Sequence, residues 1–264
     1  MRALFPVVAL VALLPASPAA GTWIPLPRGD GVPPSRRTTR IFNGLPTGAF
    51  PAVAGVILLR DDGAVGLCSG TLVTPRVVVT AAHCFIASPL RVVAAFFPDG
   101  VTEVDHDAVA YAIHPEFDPD VLAWADVALL ILDTPVVDVP PMPLAAVNPR
   151  PRTPVTIVGF GQDETGEVGT KEMGSVRLRP CPRAFRRAGI RRGQLAGSLC
   201  WRPRKRGQDT CQGDSGGPLV AGGAVAGVTS GGYPSCPGKL SWNTSIPTFR
   251  QWIDAALAEA AEIP

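Results

Sequence analysis

The chain has 264 residues, and no apolar run in it reaches the ~20 residues a bilayer span requires, so a membrane-embedded protein is not expected. None of its six cysteines sits in a CxxC pair, which argues against a thiolate metal centre. Histidine is scarce: His83, His106 and His114 are the three in the chain, so imidazole chemistry has few places to occur. There is no internal repeat of fixed period. Charged residues make up 17% and hydrophobic residues 46%, a balance that excludes a disordered chain and fills a large core.

What is present begins with a leader. Arg2, the apolar run Leu4 to Leu14 and the small residues Ala16 to Ala20 have the pattern of a secretory signal over residues 1–20. Residues 21–40 are rich in Pro, Gly and Arg and read as an exposed propeptide or linker ending at Arg40. These first 40 residues carry five Arg and one acid, so a processed chain is near neutral, with 19 basic against 21 acidic residues. Six cysteines in an exported chain imply disulfides, and the sequence alone does not choose among the pairings.

From Ile41 onward, short β-branched runs alternate with Gly and Pro: Ala52 to Leu59, Thr71 to Val73, Val77 to Thr80 and Arg91 to Phe96. This is the pattern of an all-β barrel or sandwich. Near the end, Phe249, Trp252 or Ile253, Ala256 and Leu257 recur at helical intervals and predict an amphipathic helix over 247–260. Residues 171–206 hold twelve Lys and Arg against the single acid Glu172 and read as a solvated loop surface; an anion site is the competing reading.

The stretch Gly213-Asp214-Ser215-Gly216-Gly217 crowds a serine with glycines, which lets another backbone approach closely. A serine hydroxyl becomes a useful nucleophile only beside a base oriented by a carboxylate. His83 lies between a strand and Cys84, whereas His106 and His114 read as surface or structural residues. Asp126 opens onto the apolar run Val127 to Leu132, where an ionised carboxylate needs a hydrogen-bonding partner. No histidine follows Ser215, which excludes the serine-before-histidine order of α/β-hydrolases; the strand-rich pattern also disagrees with the subtilisin fold.

The segments TAAHC at 80–84, DVALLIL at 126–132 and DTCQGDSGGP at 209–218 together resemble the trypsin-like serine endopeptidases, over residues 41–264. The resemblance implies two six-stranded antiparallel β-barrels and a C-terminal helix, with no cofactor and no metal. It implies Ser215 as nucleophile, His83 as base, Asp126 as its orienting carboxylate, and the N–H groups of Gly213 and Ser215 as the oxyanion hole. It also implies the pairings Cys68 with Cys84, Cys181 with Cys200, and Cys211 with Cys236.

Asp209, six residues before Ser215, corresponds to the floor of the family's specificity pocket, with Gly231 and Gly238 on its walls. A buried carboxylate there, satisfied only when a cation enters, selects Arg or Lys before the scissile bond. Arg40-Ile41-Phe42-Asn43-Gly44 resembles the family's activation site, whose freed α-amino group pairs with the acid before the serine, here Asp214. The implied partners are protein or peptide substrates with Arg or Lys, and protein protease inhibitors; a secreted monomer without nucleic-acid or membrane binding is expected. Three departures stand out. Thr229-Ser230-Gly231 lacks the family's tryptophan, Tyr233 and Pro234 look inserted, and Arg202, Arg204, Lys205 and Arg206 are candidate self-cleavage sites. Asp99, Glu103, Asp105 and Asp107 are too loosely arranged for a calcium loop. A catalytically silent binding protein and an esterase are the rival readings.

Overall fold

The computed structural model describes residues 22–27, 41–97, 99–121, 124–165, 170–181, 197–204, 207–233 and 236–264. The expected signal, Arg40, Arg183 to Arg192, and Lys205 and Arg206 lie outside these residues. Among the described residues, fourteen strands form two antiparallel sheets, followed by one α-helix.

The first sheet contains β3 (Val53–Leu59), β4 (Val65–Thr74), β5 (Val77–Thr80), β6 (Arg91–Phe96), β7 (Val104–Ile113) and β8 (Ala128–Leu132). Pairing of β7 with both β6 and β8 closes these six into a barrel, leaving its hydrogen-bonding groups paired around the circle. β8 is buried on both faces, which explains its unbroken apolar sequence. Ala128, Leu130 and Leu132 face the barrel core, while Leu129 and Ile131 face outward onto the helix α1 (Ile246–Ala260). That helix buries Phe249, Trp252, Ile253 and Ala256 of the expected stripe, with Leu257 partly buried and Ile246 added one residue earlier than expected, and begins with Ser245 Oγ accepting the Thr248 N–H at 3.1 Å.

The second sheet runs β11 (Ser198–Trp201), β14 (Leu240–Ser245), β13 (Ala224–Tyr233), β12 (Pro218–Ala221), β9 (Pro154–Gly159), β10 (Glu172–Arg177) and β2 (Leu45–Pro46). A bridge between Arg179, just past β10, and Cys200 of β11 curls the sheet round a core of Ile41, Ile157, Leu178, Trp201 and Leu219. Val53 of the first sheet packs with Val158, Phe160 and Val220 of the second, so the two bodies share an apolar seam.

Two segments differ from expectation. Residues 22–27 are not an exposed linker: β1 (Ile24–Pro25) pairs with Tyr111 and Ala110 of β7, and Leu26 is buried in the first core. Proline is tolerated there because the strand lies at an edge. The described part of 171–206 is not loop surface either, because it contributes β10 and β11 and buries Lys171 and Glu172. Burial depresses the Lys171 amine to about 8, and its Nζ donates to the Phe50 carbonyl at 3.1 Å.

Candidate active site

Adjacent strands bring the first two candidate residues together. β5 pairs with β8, Thr80 opposite Ala128, so the turn after β5 and the residue before β8 meet at one end of the barrel. His83 lies in the short 3-10 turn Ala82–Phe85, anchored to β4 by the Cys68–Cys84 disulfide. Asp126 is fully buried and compensated by three donors. His83 N–H reaches Oδ1 at 2.9 Å, and His83 Nδ1 and Ser230 Oγ reach Oδ2 at 2.8 and 2.5 Å. Ala125, just before it, holds φ +54°, a left-handed conformation uncommon for a residue with a Cβ.

Burial disfavours the charged form of His83, but the Asp126 charge and hydrogen bond outweigh it, and the imidazole pKa is raised. Because Nδ1 is bonded to the carboxylate, Nε2 is the nitrogen left to exchange a proton with substrate or nucleophile.

Ser215 comes from the second body, in the connection from β11 to β12. Its carbonyl accepts the Ser69 N–H at 2.7 Å, while Ser69 Oγ donates to the Gly213 carbonyl at 2.9 Å; β4 thus fastens the serine loop across the seam. Gly216 N–H donates to Thr229 carbonyl and Thr229 N–H to Gly217 carbonyl, each at 2.8 Å, fixing the loop to β13. His83, Ser215 and Gly213 line one cleft of about 260 Å³, with Leu58, Arg60 and Gln212.

Gly213 has φ +95° and Gly216 φ +87°, conformations that explain glycine at both positions. The N–H groups of Gly213 and Ser215 donate to no acceptor among the described residues. Two convergent amide donors beside a serine hydroxyl are what a developing oxyanion requires.

Asp209 is buried, with burial raising its pKa against the opposing effect of its hydrogen bonds. The expectation that only an entering cation satisfies this carboxylate is corrected. Gly238 N–H occupies Oδ2 at 2.7 Å, and Ser241 Oγ and Trp201 Nε1 occupy Oδ1 at 2.6 and 3.2 Å. Gly238 therefore supports the carboxylate directly. Gly231 pairs with Trp242 of β14, whose Cζ2 lies 2.5 Å from where a Gly231 Cβ would stand. An aromatic ring thus does cover this strand, carried by its neighbour. Ser230, Ser241 and Trp242 were not found by sequence reasoning.

Asp214 is completely buried at the seam, accepting the Gly161 N–H at 2.6 Å and the Cys211 N–H at 2.7 Å. Burial pushes its pKa well up, and the charges of Asp209 and Glu172 add to the effect. Ile41 is also fully buried, and Phe42 carbonyl accepts the Asp209 N–H at 3.2 Å. The pairs Cys181–Cys200 and Cys211–Cys236 are as expected.

His106 bonds Thr134, and His114 packs against Phe249 and Trp252; neither lines the cleft of His83 and Ser215. Asp99 caps the turn to Thr102 and Asp107 pairs with Arg91. The compact His/Cys/acid cluster among the described residues is Cys68, His83 and Cys84, whose thiols form a disulfide. No helix among the described residues is long and apolar enough to cross a membrane.

Comparison with known proteins gives a match to the family model Trypsin over residues 45–253. The chain is 32% identical to a trypsin of Saccharopolyspora erythraea over 199 residues, covering 70% of this chain and 83% of the relative. It is 31% identical to serine protease 56 of Mus musculus over 249 residues, covering 85% of this chain but 40% of the relative. Among solved structures, HL collagenase superposes with a TM-score of 0.70 at 25% identity, covering 83% of this chain and 99% of the other.

Proposed function

Starting from a chain that belongs to the trypsin family of serine proteases, we propose that it is an active, secreted endopeptidase cleaving after Arg or Lys. The observation that carries this reading is the buried Asp126–His83 pair on the same cleft as Ser215, beside two amide donors without acceptors.

In the proposed reaction, His83 Nε2 takes the Ser215 hydroxyl proton as Oγ attacks the substrate carbonyl carbon. The carbonyl oxygen becomes an oxyanion held by Gly213 and Ser215 N–H groups, and Asp126 stabilises the imidazolium. His83 then gives the proton to the leaving amine as the C–N bond breaks. Water repeats the sequence on the acyl-enzyme, releasing the acid and restoring the serine. No step requires a cofactor.

The buried Asp209, six residues before Ser215 and joined to the activation segment through Phe42, supports selection of a cationic side chain. Arg40-Ile41 is the proposed activation bond in a zymogen exported by residues 1–20. Hydrolysis there would leave a carboxylate on Arg40 and an α-ammonium on Ile41, which the buried Asp214 would receive. Protein or peptide substrates and protein inhibitors are the proposed partners of a monomer.

The test is a fluorophosphonate label and paired Arg and Phe peptide substrates, applied before and after limited trypsin treatment. Treated wild type is expected to label at Ser215 and hydrolyse the Arg substrate, and Ser215→Ala to lose turnover by about 10⁴-fold or more. Absence of labelling in correctly cut, disulfide-bonded protein would refute the reading in favour of a silent binding protein.

A further inference from the structure

Glu172 is the single acid among residues 171–206, yet it is 4% exposed. A carboxylate this buried takes its role from the groups that share its side of the sheet. At the start of β10, Glu172 pairs directly with Gly159 of β9, so its side chain leaves the sheet on the face where a Gly159 side chain would stand. That face is occupied by the Asp214 carboxylate, which a Cβ at either Gly159 or Gly161 would strike. Both carboxylates therefore share one side of the sheet.

The activation segment closes the same space. The point where a Gly44 Cβ would stand lies 2.5 Å from Glu172 Oε2 and 2.7 Å from Ile41 Cβ, so these two atoms are at most about 5 Å apart. Three further acids lie around the segment among the described residues. Glu164 Oε2 accepts the Asn43 N–H at 3.2 Å, Asp163 is buried nearby in sequence, and Asp209 lies behind Phe42. Lys171 points to the opposite face of the strand from Glu172, with its Nζ on the Phe50 carbonyl.

We propose that Glu172 is a second carboxylate of the activation pocket, holding with Asp214 the α-ammonium that cleavage frees on Ile41. It acts as a positioning residue: by fixing that amino terminus it keeps Asp214, and with it the Gly213 and Ser215 amides, in the working arrangement. The inference rests on the activation bond proposed above. It adds to that reading, because Asp214 alone would balance the ammonium charge, whereas two acids hold the ammonium more strongly and make its proton harder to remove.

The experiment uses the full chain, cut with a trace of trypsin and checked by amino-terminal sequencing, for wild type, Glu172→Gln and Glu172→Asp. The alkaline limb of kcat is followed from about pH 7 to 11, around and above the ~8 of an ordinary α-amine. Glu172→Gln is expected to move that limb toward acid by about one pH unit, with Glu172→Asp partly restoring it. Carbamylation of the Ile41 amine by cyanate should accelerate several-fold in Glu172→Gln. Thermal midpoints of the uncut proteins separate a structural loss, which lowers the midpoint and leaves the limb in place. If active wild type does not begin at Ile41, the activation reading itself fails. If Ile41 is the terminus and the limbs of wild type and Glu172→Gln superimpose, the role of Glu172 is overturned while that reading stands.

Discussion

Ser241→Ala tests the proposed specificity pocket most directly. Ser241 is fully buried on β14 and donates to Asp209 Oδ1 at 2.6 Å, so the substitution removes one donor and leaves a small void. A carboxylate has about four acceptor positions, and Gly238, Trp201 and Ser241 together occupy most of them before substrate arrives. A hydrogen bond to a charged group is worth about 1.5–3 kcal/mol. Part of that would be lost to poorer stabilisation of the free carboxylate, which burial already makes more basic than usual. The remainder becomes available to an entering guanidinium or ammonium, and a net 1.4 kcal/mol corresponds to about tenfold. The measurement is the ratio of kcat/KM for paired substrates differing only in Arg or Phe before the scissile bond. Ser241→Ala is expected to raise this Arg-to-Phe ratio about tenfold, mainly through the Arg substrate. An unchanged or lower ratio would show that Asp209 does not meet the substrate side chain through Oδ1, and would refute the pocket assignment built on it.

Two further outcomes follow from the geometry. Since His83 must be neutral to act as base and its pKa is raised, activity should be lost with falling pH at a midpoint above that of an ordinary histidine. In Asp126→Asn, burial remains without the compensating charge, so the kcat/KM midpoint should move to lower pH while kcat drops by about 10⁴-fold; a pH profile with an unmoved midpoint contradicts the pairing. Gly216→Ala places a Cβ against Thr80 Oγ1 and Ser69 carbonyl at φ +87°, and should lower the thermal midpoint by roughly 10 °C. Gly222, at φ +60° with open space around it, should tolerate alanine with a much smaller shift; equal shifts would refute the steric argument.

The residues legible in the sequence are those whose chemistry is declared by their neighbours. His83 is followed by Cys84, Asp126 heads an apolar run and Ser215 stands among glycines, so each carries a local signal. Ser230 and Ser241 carry none, because each owes its role to pairing between β13 and β14. That register contains an irregularity: Thr229 faces Asn243 and Gly231 faces Trp242, leaving Ser230 as the extra residue. A bulge re-aims the side chain it contains, and here Ser230 Oγ turns to Asp126. The same register sets Gly232 opposite Ser241, beneath which Asp209 lies, and brings Trp242 over Gly231.

Glu172 shows the converse limit. Its strongly basic sequence surroundings describe a solvated face when read along the chain, yet the residue is buried at the start of β10. Antiparallel pairing with Gly159 places it on the side of the sheet that holds Asp214 and close to Ile41. The glycine at 159 makes that possible: any side chain there would occupy the volume in which the Asp214 carboxylate lies. A residue without a side chain thus determines which charges meet in the proposed activation pocket, and strand register reveals it.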